Sequence, residues 1–159
     1  MPVDRHLLAA EGYFELDMFD DALEELAIAE HVPGNRKTVK RRRVEVFIAM
    51  KRWEEAHELA RELHEADPDN ANHRIQHAFV LRELERIEEA REVLLAGDPA
   101  FRRSALFYYN LGCYEALLGN PESALLNLGL AFRVSSELRK HADTDRDLDS
   151  IRDQLPPAE

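Results

Sequence analysis

The sequence contains a single cysteine, Cys113, among its 159 residues. One cysteine excludes an internal disulfide and any metal site built from several thiolates, and it fits a reducing compartment. Long apolar runs are also missing, since no stretch approaches the roughly 18 apolar residues of a membrane-spanning helix. The first five residues lack the basic start and apolar core of a signal peptide. We therefore expect a cytoplasmic protein that does not associate with membranes.

Positive charge is scarce as well. The chain has 21 Lys and Arg against 32 Asp and Glu, which gives a net charge of -11. This balance disfavours binding to nucleic acid or to anionic membranes, and it favours protein partners with basic patches. The sequence also lacks a Gly-rich phosphate loop and a G-x-S-x-G elbow, and its acidic residues form no distinct catalytic pair. We expect neither enzyme activity nor a cofactor.

The stretch from Phe107 to Ala131 is the most informative part of the sequence. Two runs with helical apolar spacing flank the breaker residues 118–121, Leu-Gly-Asn-Pro. Small residues stand where two helices would have to approach closely, namely Gly112 in the first run and Ala124 in the second. The pattern predicts a helical hairpin.

The same stretch has the residue spacing of a known repeat. An aromatic residue, a Leu-Gly pair, an alanine followed by a large residue, and a further alanine occur in this order: Tyr108, Leu111, Gly112, Ala124, Leu128 and Ala131. The chain thus resembles the tetratricopeptide-repeat family. The resemblance implies an all-α fold, a right-handed superhelical solenoid of four helix hairpins plus a C-terminal capping helix. It also implies a function in protein–protein binding.

The family's 34-residue period can be followed through the whole chain. Stepping back from Ala124 reaches Ala90, Ala56 and Ala22, each in a similar amphipathic frame. We expect these alanines to pack against small or medium residues on the first helix of each hairpin: Ala10, Val44, Ala78 and Gly112. The predicted repeats are 3–36, 37–70, 71–104 and 105–138, followed by a capping helix and tail over 139–159.

Two places depart from the regular pattern. Asp98-Pro99 comes three residues earlier than the period predicts, so we expect a short second helix in the third hairpin and an early start of the next helix. Beyond Ser135, Thr144 with Asp147 is typical of a capping box, and Leu148, Ile151 and Leu155 recur at helical spacing. We expect this tail to cover the last helix of the array.

In the family, the first helices of the hairpins line a concave groove in which partners lie. The resemblance therefore implies a groove for a protein or peptide partner, with these residues as its wall: Glu11, Phe14, Arg41, Glu45, Ile48, Ile75, Phe79, Arg82, Tyr109 and Cys113. An apolar strip flanked by arginines suits an amphipathic helix or an extended segment with acidic residues. The alternative is that some of these side chains only pack between neighbouring helices.

Several other features have two interpretations. The basic cluster at residues 36–43 is either a docking site for acidic groups or is neutralised by acidic residues nearby. His73 with His77 has the spacing of a metal-binding pair, but without further ligands packing or solvation is favoured, and no metal site is expected. The Lys and Asn clamp that some relatives use for chaperone tails is absent here.

These observations leave two hypotheses for the function. The first is a non-enzymatic adaptor that binds a peptide or helical segment of a partner in the concave groove. The second is a self-associating scaffold, in which terminal hairpins form homo-oligomers and the groove is filled by a neighbouring copy or by the tail. Leu7, Leu8 and Phe14 at the uncovered N-terminal hairpin would mediate the self-association.

Overall fold

The computed structural model describes residues 4–97, 99 and 102–157. The chain divides into two compact units, with the boundary between Asp67 and Pro68. The first unit contains four helices, which are α1 (Arg5–Glu15), α2 (Phe19–Ala29), α3 (Arg36–Ala49) and α4 (Trp53–Ala66). The second contains α5 (Ala71–Glu83), α6 (Ile87–Leu95), α7 (Ala105–Leu117), α8 (Pro121–Val134), α9 (Ser136–Ala142) and a 3₁₀ helix (Arg146–Gln154).

Four helix pairs, α1 with α2, α3 with α4, α5 with α6 and α7 with α8, pack as hairpins. The described residues contain no strand. The all-α fold class and the four hairpins are therefore confirmed, while the exact limits of the repeats stay a prediction.

The turn of every hairpin has the same backbone geometry. The second residue after each first helix is left-handed, and these residues recur at 34-residue intervals, at Asp17, Lys51, Glu85 and Gly119, with φ between 56° and 79°. In the last turn, the amide of Asn120 donates to the carbonyl of Glu115 (2.8 Å) and that of Gly119 donates to Ala116 (3.1 Å). Equivalent bonds close the other three turns. This is a Schellman motif, which satisfies carbonyls at the helix end and reverses the chain.

Small residues lie at the helix crossings, as predicted. Ala22, Ala56, Ala90 and Ala124 are fully buried. At the last crossing, a Cβ added to Gly112 would lie 2.7 Å from Cγ of Leu128 and 3.2 Å from the carbonyl oxygen of Ala124. Since real Cβ atoms are not found so close to other carbons, only glycine lets α7 approach α8 to this distance.

The third hairpin confirms one expectation and corrects another. Helix α6 is short, with nine residues against fourteen in α4. However, α7 does not start early, because it begins at Ala105, which is 34 residues after the start of α5. The hydroxyl of Ser104 caps this start by accepting from the amide of Leu106 (3.2 Å). Because α6 is short and α7 starts in register, the connection between α6 and α7 is longer than that between α4 and α5. Asp98, in this connection, lies outside the described residues.

Two arginine side chains bond to the C-terminal end of α6. Nη1 of Arg74 donates to the carbonyl of Val93 (2.9 Å), and Nη2 of Arg102 donates to the carbonyl of Leu95 (2.9 Å). These guanidinium groups replace the hydrogen bonds that a longer helix would have made to the same carbonyls. The early end of α6 is therefore stabilised by side chains from its own unit.

The C-terminal region differs from the prediction in three respects. A helix not foreseen, α9, follows α8, and its N-cap is Ser135. The last helix is 3₁₀ rather than α, and it is capped by Asp145 instead of Thr144, since Asp145 accepts from the amide of Asp147 (3.0 Å). This 3₁₀ helix packs on α7, and α9 packs on α8. The second helix of the last hairpin is thus contacted by α9, in line with the prediction for this segment, and the 3₁₀ helix adds a contact with the first helix that the sequence does not predict.

Candidate functional site

The residues predicted to line a groove are divided between the two units. The first unit holds Glu11, Phe14, Arg41, Glu45 and Ile48, and the second holds Ile75, Phe79, Arg82, Tyr109 and Cys113. Each set is described within its own unit.

In the first unit, Arg42 connects two of the predicted residues. Its guanidinium pairs with Glu11 (3.2 Å) and with Glu45 (3.1 Å), and hydrogen bonding to Glu45 raises the pKa of Arg42. Glu11, Phe14, Arg42 and Glu45 line one small pocket. The predicted Arg41 is exposed and does not line this pocket. Sequence reasoning missed Arg42, although its i,i+3 spacing from Glu45 was a signal.

The two apolar residues of this set are only partly accessible. Phe14 packs against Phe19, with ring centroids 5.8 Å apart, at the edge of the first hairpin's core. Ile48 packs against a cluster of Val44, Ala60 and Leu63. These side chains therefore contribute to hairpin packing as well as to the surface.

The basic cluster at residues 36–43 is largely neutralised inside the first unit. Lys40 pairs with Glu62 (2.6 Å), Arg43 with Glu30 (2.9 Å) and Lys37 with Asp67 (3.3 Å), in addition to the pairs of Arg42. The bond from Lys40 lowers the pKa of Glu62. Arg36 and Arg41 are exposed. The arrangement favours internal charge balance over a concentrated docking site.

In the second unit, Arg82, Tyr109 and Cys113 meet at the C-terminal residues 145–157, which we call the tail. The Tyr109 hydroxyl donates to Oδ2 of Asp145 (2.7 Å), and Sγ of Cys113 lies 3.9 Å from the same oxygen. Nε of Arg82 donates to Oδ2 of Asp147 (2.7 Å), and Nη2 of Arg82 bonds to the other carboxylate oxygen. Two carboxylates of the tail are thus bound by residues of α5 and α7.

Apolar side chains of the tail extend this contact. Leu148 and Ile151 are buried in the same core cluster as Tyr109, Cys113 and Ala142. Tyr109 is 4% exposed and Cys113 is 3% exposed. Two of the predicted partner-binding residues are therefore covered by the chain's own tail, and Arg82 is ion-paired to it.

Burial controls the protonation of this site. Burial, followed by the hydrogen bond to Asp145, raises the pKa of Tyr109 well above its usual range. Burial also raises the pKa of the Cys113 thiol, and the nearby carboxylate of Asp145 adds to the effect. Both groups are neutral at physiological pH, so Cys113 is a packing residue here and a poor nucleophile. The pairing with Asp147 raises the pKa of Arg82, which keeps its charge.

The second set has two further residues, Ile75 and Phe79. Ile75 is buried and lines a pocket with Leu94, Gly97 and Phe107, so it packs between helices. Phe79 is partly buried. His73 and His77 are buried on α5, and the described residues contain no group of three or more His, Cys, Asp or Glu side chains that could hold a metal ion.

Asp145 and Asp147 are the functional candidates that sequence reasoning missed. The sequence showed Asp147 within a capping pattern, and the structure uses Asp145 for the cap. Nothing in the local pattern indicated that the two carboxylates reach Tyr109 and Arg82, which lie 36 and 65 residues earlier in the chain.

Comparison with known proteins agrees with this architecture. The family model of the tetratricopeptide repeat matches residues 47–109. A solved structure of MamA MSR-1 is similar, with a TM-score of 0.67 and 20% identity over 86% of this chain and 76% of that chain. One of MamA AMB-1 gives a TM-score of 0.66 and 19% identity over 92% and 76%. No curated protein matches the sequence.

In the part of the chain that the structure describes, no helix has both the length and the apolar character needed to cross a membrane.

The fold of the solved structures, the matched family model and the four Schellman turns at one interval agree with each other. Residues 47–109 thus match the tetratricopeptide-repeat family, the whole chain has a fold similar to those solved structures, and this fold indicates a role in protein–protein interaction or scaffolding.

Proposed function

We propose that the chain is a non-enzymatic adaptor that binds a segment of a partner protein on the first helices of its hairpins. The observation that supports this most directly is the convergence of Arg82 and Tyr109. Side chains from α5 and α7 already hold two carboxylates of one peptide segment. A surface that binds such a segment within its own chain has the donors needed to bind one from another protein.

The proposal can be tested by selecting peptides against the immobilised full-length chain from a displayed library. We expect selected peptides to lose at least tenfold in affinity when Arg82→Glu is introduced, because the variant replaces a carboxylate-binding guanidinium by a repelling charge. Isothermal titration calorimetry would measure this change.

Arg61→Glu is the matched control, since Arg61 is exposed on a second helix, α4, and pairs with Glu65 in the same helix. We expect this control to bind like the unaltered chain. Selected peptides that bind equally well to the Arg82→Glu chain would show that the surface is assigned wrongly, and a library that yields no binder would refute the adaptor role.

A second candidate function, the self-associating scaffold, is favoured by exposed apolar side chains on α1 and at its C-cap residue, Leu16. Leu8 is 61% exposed and Leu16 is 70% exposed, and they lie two helical turns apart. Gly12 lies between them, and a Cβ added there would have nothing within 4 Å. The three residues form an uncovered strip on one side of the first hairpin.

If this strip mediates self-association, the unaltered chain should form a dimer or larger species that dissociates on dilution. Leu8→Glu with Leu16→Glu should then yield monomers at every concentration, because charges would be buried at the contact. Light scattering across a dilution series measures this. Leu126→Glu on α8 is the control, since Leu126 is equally exposed (68%). A monomeric unaltered chain would argue against the scaffold.

A further inference from the structure

The tail presents a definite chemical pattern to α5 and α7. Its sequence from Asp145 to Ile151 reads Asp-Arg-Asp-Leu-Asp-Ser-Ile. The first two aspartates bind Tyr109 and Arg82, whereas Leu148 and Ile151 enter the core cluster. The third aspartate, Asp149, is exposed. The residues of the tail that contact α5 and α7 therefore follow the pattern Asp-x-Asp-Leu-x-x-Ile. The side chains at the intervening x positions are exposed.

The attachment of the tail would allow it to leave as one piece. Asp143 and Thr144, which connect it to α9, are both exposed. Arg152 donates to the carbonyls of Ala142, the last residue of α9 (2.9 Å), and of Asp145 (2.8 Å), and Nε of Arg139 in α9 donates to the carbonyl of Pro156 (2.7 Å), so the tail is bonded to itself and to α9. Release from α7 leaves the bond between Arg152 and Asp145 intact, but the tail must either move together with α9 or break the bond from Arg139 to Pro156.

We propose that Arg82, Tyr109 and Cys113 form a binding site for an acidic amphipathic segment of another protein, and that residues 145–151 occupy this site until that segment displaces them. This inference rests on the proposed adaptor function and names its partner class and its regulation. The partner segment would carry two carboxylates two residues apart, followed by apolar residues at the spacing of Leu148 and Ile151.

The geometry supports competition for one site over simultaneous binding. Oδ2 of Asp145 accepts the Tyr109 hydroxyl, and both carboxylate oxygens of Asp147 are bound by Arg82. A second carboxylate cannot take the same donors while the tail is present. Tyr109 and Cys113 also have almost no surface left for another segment.

The factor by which the tail weakens the binding of a free segment can be estimated. A short tether gives the tail an effective concentration on the order of 1 mM at its own site. If the tail itself binds the open site with an intrinsic Kd on the order of 10 to 100 µM, a free segment would bind the closed chain roughly 10- to 100-fold more weakly than the open one. A substitution that weakens the contacts of the tail with α5 and α7 should therefore raise the affinity for a free segment by up to this factor.

The test uses a fluorescent peptide with the sequence of residues 143–157, added to the full-length chain and followed by anisotropy. We expect the variant Asp145→Asn with Asp147→Asn to bind the peptide at least tenfold more tightly than the unaltered chain. Adding Arg82→Glu to this variant should abolish the gain. Asp149→Asn with Asp153→Asn changes the same charge at exposed tail positions, and it should behave like the unaltered chain.

Cys113 provides a second readout because it is the only cysteine in the chain. Its thiol should react slowly with a disulfide reagent in the unaltered chain and at least tenfold faster in the Asp145→Asn, Asp147→Asn variant. The peptide added to that variant should slow the reaction again. Circular dichroism establishes that the variant is folded, and the reaction rate should depend little on low concentrations of urea, because only the tail opens.

Three results would overturn the inference. Equal peptide affinity of the unaltered chain and the tail variant would show that the tail does not compete. A labelling rate that follows global unfolding in urea, without peptide binding, would make the tail a purely structural cap. A stable dimer that exchanges tails would assign the site to a second copy. The first result leaves the adaptor role intact, whereas a library without any binder to either chain removes that role itself.

Discussion

Gly112→Ala is expected to lower the free energy of unfolding by about 1 to 3 kcal/mol through overpacking. The added Cβ would lie 2.7 Å from Cγ and 3.0 Å from Cδ2 of Leu128. Leu128 is fully buried, and its Cγ is a branch point rather than a flexible end, so it cannot move aside without disturbing the core. The carbonyl of Ala124 at 3.2 Å closes the other side. Urea denaturation monitored by circular dichroism measures the change.

The same substitution at Gly12 is the matched control. Gly12 is also inside a first helix, α1, but a Cβ there would meet nothing within 4 Å. Alanine should therefore stabilise the chain by roughly 0.5 to 1 kcal/mol, because it restricts the unfolded chain and has the higher helix propensity. Opposite signs at the two glycines would show that the close contact of α7 with α8 is responsible. Equal effects at both positions would contradict this explanation.

The repeat was predictable because its cause is local and recurs. Each crossing needs a small residue at a fixed place, and a single residue type at Ala22, Ala56, Ala90 and Ala124 is visible in the sequence. The turns were less visible. Only Gly119 among the four left-handed residues is a glycine, and Asp17, Lys51 and Glu85 adopt the same conformation without it. The hairpin packing there overrides the ordinary preference of the residue.

The site was less predictable than the fold because its partners are distant in sequence. The family resemblance selected Arg82, Tyr109 and Cys113 as surface residues, and the structure does bring them together. The resemblance could not indicate that Asp145 and Asp147 bind these residues and cover them. The helical spacing of Leu148 and Ile151 predicted a buried face in the tail without saying which helix it would contact. A one-dimensional pattern identifies an amphipathic segment but not the surface that receives it.

Buried charge provides the second large expected effect, at Glu115. Its side chain is 4% exposed, and its carboxylate is paired with Nε of Arg91 from α6. The side-chain amide of Asn120 also donates a hydrogen bond to the Glu115 carboxylate (2.8 Å). Arg91→Met should lower the free energy of unfolding by roughly 3 kcal/mol, at the lower end of values for broken buried pairs, because Arg91 itself is 40% exposed. The loss arises from a carboxylate left buried without its cation.

A double-mutant cycle in urea separates this effect from the loss of the arginine's packing. Glu115→Leu added to Arg91→Met should restore much of the stability, because no unpaired charge then remains and an apolar pair of similar volume fills the space. Arg61→Met removes an arginine from an exposed pair with Glu65 and should change stability by less than about 0.5 kcal/mol. If Arg91→Met proves no more costly than Arg61→Met, then Glu115 retains enough water or hydrogen bonds to carry its charge alone, and the pair does not join α6 to α7. A coupling energy well above that of the exposed pair would instead show that Arg91 and Glu115 form a polar contact that fixes α7 against the preceding hairpin. Helix α7 also carries Tyr109 and Cys113, which contact the tail, so this pair would help to position the candidate site.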